Sequence, residues 1–191
     1  MRRRHLTVLP LAAAFTLAAR CVPAGAVEWR ADAAASRLEF TAMIQGAPVL
    51  GVFERFDVVL HADGTTPAGG SLDVTVEMNS ATTGLPDVDR ELPSPAWFDS
   101  VAQPRAAFHA GEVGHRADDV YLARGTLTLK GRRQDLEVPF VWHARDAGAT
   151  MEGELSLARG AFAIGSGEWT QTDVVAGEVQ VHFRVALRRA E

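Results

Sequence analysis

Apolar and polar residues alternate with a period of two through most of this chain. Leu38, Phe40, Ala42 and Ile44 show the pattern, and it recurs over residues 72–78, 136–143, 152–157 and 179–188. Because successive side chains of a strand point to opposite faces, each segment is predicted to be a strand with one apolar face. One-sided strands of this kind are typical of antiparallel sheets.

Two stretches break the alternation. Residues 80–103 are rich in Pro, Asp and Ser, and residues 87–92 within them are compatible with one short helix. Residues 165–177 contain three glycines and are predicted to form a loop. The remaining strands are regularly spaced, so the chain is all-β. Alternation alone does not choose between a sandwich and a closed barrel.

The N-terminal 26 residues have the three parts of a secretory signal peptide. Arg2–Arg4 are cationic, Leu6–Ala19 is mostly apolar, and Ala24-Gly25-Ala26 supplies small residues for cleavage before Val27. The apolar run is short for a bilayer span. We therefore expect a signal peptide over 1–26, a single domain over 27–191, and a periplasmic location. An uncleaved membrane anchor is the alternative.

Cys21 is the only cysteine of the chain and raises a second alternative, a lipoprotein. A lipobox requires a small residue before the cysteine, whereas this chain has Arg20 there. If cleavage follows Ala26, the mature chain has no disulfide, thiol nucleophile or cysteine metal ligand.

Loss of the first 26 residues removes four arginines and leaves 15 basic against 24 acidic residues, a net charge near −9. A negative balance of this size argues against nucleic acid as a partner and against electrostatic docking on anionic lipid.

The residue types of catalysis are present without a recognisable arrangement. The histidines are scattered and have no metal-ligand spacing, and there is no Gly-x-Ser-x-Gly nucleophile elbow. The loop Gly165-Ser166-Gly167 lacks a Walker lysine and a dinucleotide fingerprint. We therefore expect no enzyme, no bound metal and no cofactor.

Four phrases recur in a fixed order along the chain: Gly51–Phe56 (GVFERF), Glu91–Asp99 (ELPSPAWFD), Gly125–Gly131 (GTLTLKG) and Arg159–Trp169 (RGAFAIGSGEW). Together they resemble the YceI-like family of exported bacterial lipid-binding proteins. The resemblance spans roughly residues 27–188. Two phrases depart from the family pattern. Val88 stands where the family's Arg-Asp-x-x-Leu phrase has its arginine, and residues 158–163 lack two acids and one glycine.

The resemblance implies a fold and a ligand class. The fold is a single extended, antiparallel, eight-stranded lipocalin-like β-barrel with one short helix. The ligand is a long-chain amphiphile, polyisoprenoid, quinone-like or fatty acyl, carried in the periplasm. The Glu-Leu-Pro-Ser and Gly-Glu-Trp forms resemble the branch found with cytochrome b561, which implies an alternative role as an accessory protein of a membrane b-type cytochrome. A homodimer is left open.

Within the family phrases and the apolar strand faces, we identify candidate ligand contacts at Phe40, Phe53, Phe56, Trp97, Phe98, Phe108, Leu127, Phe140, Trp142, Phe162, Ile164 and Trp169. The same residues could simply fill the barrel core, and the volume left empty between them decides between the two. Arg55 and Arg159 are candidates for a polar head group, with a surface ion pair as the alternative for each.

Overall fold

The computed structural model describes residues 26–145 and 148–190, so nearly all of the predicted signal peptide, with Cys21, lies outside the described residues. The strands are β1 (Ala26–Ala31), β2 (Arg37–Ile44), β3 (Ala47–Phe53), β4 (Phe56–Asp63), β5 (Ser71–Glu77), β6 (Ala81–Thr82), β7 (Arg105–Ala117), β8 (Val120–Leu129), β9 (Arg132–Arg145), β10 (Gly148–Ala158) and β11 (Val175–Arg189). One α-helix, α1, spans Pro86–Glu91, as predicted for this irregular stretch.

These eleven segments form eight antiparallel strand paths, because β1 and β2, β3 and β4, and β5 and β6 are each one path with an interruption. Each path pairs with the next along the chain. The last strand, β11, pairs with β10 on one side and with both β2 and β1 on the other, which closes the sheet. The predicted eight-stranded antiparallel barrel with one short helix is confirmed.

The period-two pattern places one set of side chains inside this barrel. Phe40, Val74, Leu127, Phe140 and Val181 come from five different strands and border one shared interior. Their polar neighbours face outward, where His109 contacts Asp73 at 2.7 Å and His182 contacts Glu154 at 2.8 Å. The alternation in the sequence therefore gives the correct facing of these strands.

Large side chains close the end of the barrel opposite α1. Trp29 is 1% exposed and meets Trp142 edge to face, with ring centroids 5.4 Å apart. The Trp142 indole N–H donates to the Thr65 carbonyl at 3.0 Å, which ties the β4–β5 connection across this end. Tyr121 stacks on Phe140 next to them. This end is a packed core.

The other end is crossed by α1 and the irregular residues after it. Asp89 fixes the helix to the preceding chain: it accepts hydrogen bonds from the Thr82 hydroxyl at 2.7 Å and from the Thr83 N–H at 2.6 Å. Burial raises the pKa of Asp89, but these bonds and others from Thr83 and Gly84 outweigh it, so the pKa is lowered. The contact therefore persists at neutral pH. Among the described residues, no helix is long and apolar enough to cross a bilayer.

Candidate functional site

A cavity of about 590 Å³ occupies the barrel interior from its centre to the α1 end. All but five of its lining residues are apolar; the five are Thr83, Asp87, Arg90, Glu91 and Arg159. The volume lies within the range of pockets that enclose a small ligand. The barrel is thus filled with side chains at one end and open as a hydrophobic cavity at the other.

Eleven of the twelve predicted apolar candidates border this cavity: Phe40, Phe53, Phe56, Trp97, Phe98, Phe108, Leu127, Phe140, Phe162, Ile164 and Trp169. Trp142 does not, because its ring belongs to the packed end against Trp29. Position along the alternating strand puts Trp142 inside, but alternation says nothing about depth along the barrel axis.

The two arginine candidates lie in different surroundings. Arg55 is on the outside of the barrel, where its Nε donates to Glu77 at 2.7 Å and its Nη2 to Asn79 at 3.0 Å. It does not border the cavity, so its surface ion pair is the observed arrangement.

Arg159 is buried, with 4% of its surface exposed, so a surface ion pair does not describe it. Its guanidinium donates to six main-chain carbonyls, those of Ile164, Gly165, Trp169, Gln171, Val175 and Ala176, at 2.8–3.2 Å. Burial lowers its pKa. All six acceptors belong to residues 164–176, so Arg159 holds the loop between β10 and β11 in its fold. Its donors are used within the protein.

Glycines of the family phrases make room for these contacts. Gly165 has φ +70°, and a Cβ there would overlap the Arg159 guanidinium. A Cβ at Gly51 would overlap the Phe40 ring, which lies across β3 inside the barrel. Both positions therefore need glycine for close approach, and at Gly165 also for the left-handed backbone.

Aromatic rings gather where the cavity meets the α1 end. Phe53 lies 5.2 Å from Phe40 and 5.9 Å from Phe98, measured between ring centroids. Trp97 and Trp169, from the two irregular stretches, contact each other at 5.7 Å and both border the cavity. The two indoles thus join the α1 stretch to the loop held by Arg159.

Much of the cavity wall is aliphatic and was missed among the sequence candidates. It includes Leu38, Ile44, Val49, Val58, Leu72, Val76, Leu136, Leu155, Leu157 and Val179. The signal for most of them was present, since they occupy the apolar positions of alternating strands. The charged rim residues Asp87, Arg90 and Glu91 had no such signal, because surface helices carry charges for many reasons.

Among the residues that the structure describes, no group of three or more His, Cys, Asp or Glu side chains is close enough to hold a metal ion. Four of the five polar lining residues of the cavity lie in α1 or just before it, and there Arg90 pairs with Asp87 at 3.0 Å.

Relatives with known structures share this barrel. Burkholderia cenocepacia BcnA superposes with a TM-score of 0.78 at 29% identity and covers 82% of this chain and 98% of that one. A polyisoprenoid binding domain from Saccharophagus degradans, implicated in plant cell wall breakdown, superposes with a TM-score of 0.69 at 14% identity, covering 85% and 98%. A Campylobacter jejuni YCEI protein superposes with a TM-score of 0.67 at 19% identity and covers 76% of this chain and 87% of that one. The latter two likenesses concern the fold alone.

Sequence comparison points to the same group. Protein YceI of Escherichia coli O17:K52:H18 is 29% identical over 115 residues, which are 56% of this chain and 60% of that protein. Protein YceI of Salmonella newport is 28% identical over the same length. The chain thus spans about three fifths of the curated relatives it matches. The family model of the YceI-like domain matches residues 29–187, and the chain belongs to this family.

Proposed function

We propose that this protein binds a long-chain amphiphile whose hydrocarbon tail lies in the barrel cavity. The observation that carries this proposal is the distribution of polarity around the cavity. Its deep wall is apolar, and its charged lining residues occur at the α1 end, apart from Arg159, whose donors serve the protein's own carbonyls. A ligand that matches this wall has a long apolar part and one polar end.

The free energy of binding requires a long tail. Burial of each methylene contributes about 0.8 kcal/mol, so about ten methylenes contribute about 8 kcal/mol. Association costs about 4–15 kcal/mol in lost freedom of motion. Short chains therefore fall below useful affinity. A prenyl chain is a suitable first ligand, since the S. degradans domain with the same fold is a polyisoprenoid binding domain.

We infer that the polar end of the ligand lies at α1. Asp87, Arg90 and Glu91 are exposed there, and each borders the cavity. A charge or hydroxyl at this rim stays hydrated, so the rim does not require a close-fitting set of partners. We therefore infer weak selection of the head group and strong selection of the tail.

Carriage in the periplasm completes the proposal and rests on the N-terminal segment. The expected mature protein begins at Val27, in the periplasmic fraction. N-terminal sequencing of the purified product checks this. Retention of Met1, or an acylated Cys21, would contradict it.

Tail length is expected to control affinity in titrations of the purified protein. In a series of prenyl alcohols or fatty acids, each added methylene should tighten binding about three- to fourfold, as about 0.8 kcal/mol implies, until the cavity is full. Because Trp97 and Trp169 border the cavity, tryptophan fluorescence should shift on binding. Changing the head group at constant tail length is the matched control and should matter less.

Native mass spectrometry of the protein purified from periplasm gives an independent result, because a retained amphiphile adds its own mass. If no long-chain amphiphile shifts the fluorescence and none is retained, the carrier function is wrong.

The accessory role with a membrane b-type cytochrome would then take first place. Exposed apolar side chains near the α1 end favour it as the second candidate: Val101 is 90% exposed and Leu85 is 47% exposed. Exposed apolar side chains indicate an interaction surface when they form a contiguous patch, so this role requires that Val101 and Leu85 contact the cytochrome together.

A further inference from the structure

The barrel wall has a gap between the first two strand paths. β1 and β4 pair as far as Arg30 and Val59, and β2 and β3 pair from Glu39 and Val52 onward. Residues 31–38 and 53–58 therefore lie side by side in the wall without a strand pair between them. We name these two segments the seam. At the seam the first segment turns through a 3-10 helix at Ala33–Ala35. The second segment contains the interruption between β3 and β4.

A second cavity lies over the seam on the outside of the barrel. Its volume is about 430 Å³, and five of its lining residues are seam residues: Ala33, Glu54, Arg55, Phe56 and Asp57. Thr75, Glu77 and Arg105, from β5 and β7, complete it. The lining of this outer depression is part polar and part apolar, whereas the lining of the cavity inside is almost entirely apolar.

Phe56 borders both cavities, and it is the one residue common to the two sets. It packs against the buried residues of the barrel core and remains half-buried. On the inner side, Leu38 and Phe53 of the seam border the large cavity. The cavity and the outer depression therefore approach each other at Phe56.

We propose that the seam is a lateral portal into the ligand cavity and that Phe56 is its gate. The wall also lacks strand pairs between β9 and β10 beyond Val141 and Glu152, but the seam is distinguished by the outer depression, which shares Phe56 with the large cavity. Beside the seam the wall is held by consecutive strand pairs, for example Leu72–Glu77 of β5 with Arg105–Ala110 of β7. Opening the wall there would break ladder hydrogen bonds, each expensive to leave unmade. At the seam no cross-strand ladder has to break, so rotation of one side chain opens the route.

This inference deepens the proposed function, because it gives the amphiphile a side entrance apart from the α1 end. A tail can pass the Phe56 ring while the polar end remains in the outer depression, which is then a second head-group position besides the α1 rim. The depression offers both basic and acidic side chains: Arg105, Glu54 and Asp57. The portal therefore suits amphiphiles whose polar end forms hydrogen bonds, and it sets the rate of exchange.

Access of a water-soluble thiol reagent to the interior tests the portal without any lipid. A cysteine replaces Leu38 in the Cys21→Ser chain, and its labelling by a charged thiosulfonate is timed. Phe56→Ala should raise the labelling rate at least about tenfold, which corresponds to an opening barrier lowered by about 1.4 kcal/mol. Phe56→Leu should give an intermediate rate, which keeps the test valid if the alanine variant folds poorly.

Phe108→Ala is the matched control. Phe108 borders the same cavity from β7, where the wall is continuously paired. The Phe108→Ala substitution removes an equal ring without touching the seam. The cysteine in place of Leu38 should therefore be labelled in this variant within about twofold of its rate in the parent chain. A cysteine at Ile164, near the α1 end, should label at unchanged rate in the Phe56 variants.

Equal acceleration by Phe56→Ala and Phe108→Ala, or no acceleration by either Phe56 variant, would overturn the portal. Because this readout needs no ligand, it is separate from the fluorescence titration: a portal can be found in a protein that binds no amphiphile, and the reverse.

Discussion

Replacement of Arg159 by methionine is expected to lower the free energy of unfolding by at least about 3 kcal/mol, although methionine keeps much of the side-chain volume. The loss arises because the carbonyls held by the guanidinium lose their donors inside the protein. A buried acceptor without a partner costs about 1–3 kcal/mol. Urea unfolding of the parent protein and of Arg159→Met measures the difference. The two free energies of unfolding are compared with the same dependence on urea concentration.

Arg55→Met is the control for loss of an arginine as such. Arg55 is exposed, and its ion pair with Glu77 is a surface pair worth about 0–1 kcal/mol. Arg159→Lys should fall between the two, since an ammonium has three donors and lacks the planar fork. If Arg159→Met costs less than about 1 kcal/mol, the six hydrogen bonds do not support the loop as described here.

Phe140→Ala is expected to cost about 3–5 kcal/mol, the range for removal of a packed aromatic ring. Phe140 is 2% exposed and stacks on Tyr121, with ring centroids 5.8 Å apart. It also borders the cavity, so one side of the ring has fewer neighbours than a core ring has. We therefore expect the lower half of the range, measured by chemical unfolding.

Phe53→Ala gives the comparison at the opposite end of the cavity, where the ring is half-buried beside Phe98. Phe53→Ala should lower the free energy of unfolding by less than Phe140→Ala does. A loss below about 1 kcal/mol for Phe140→Ala would mean that the ring adjoins open volume on most sides. In that case the cavity extends past Phe140 into the end of the barrel that we describe as packed.

The sequence predicts the strand faces of this fold well, because facing follows directly from a period of two. Val74 and Val181 lie inside as their positions require. Depth along the barrel has no such periodic signal. Trp142 and Phe140 are two residues apart on one strand, yet Phe140 borders the cavity and Trp142 belongs to the packed end.

Arg159 marks the limit of sequence reasoning about polar groups. A single arginine in a glycine-containing phrase is compatible with a ligand contact, a surface ion pair or a buried role. The observed role depends on six carbonyls that residues 164–176 bring around it only once the loop is folded. The seam likewise depends on two strand interruptions meeting in space, at 32–36 and 54–55.

The closure of the barrel has a consequence for how the chain folds. Neighbouring paths pair through short connections, as in β7–β8 and β8–β9, and such local contacts form rapidly. The final pairing, of Trp29 with Arg189, joins residues at opposite ends of the described chain. Among the described strand pairs, it closes the longest loop and has the largest loop-closure entropy. The barrel therefore cannot be completed until β11 pairs with β1, and a sheet formed before that step has two unpaired edges.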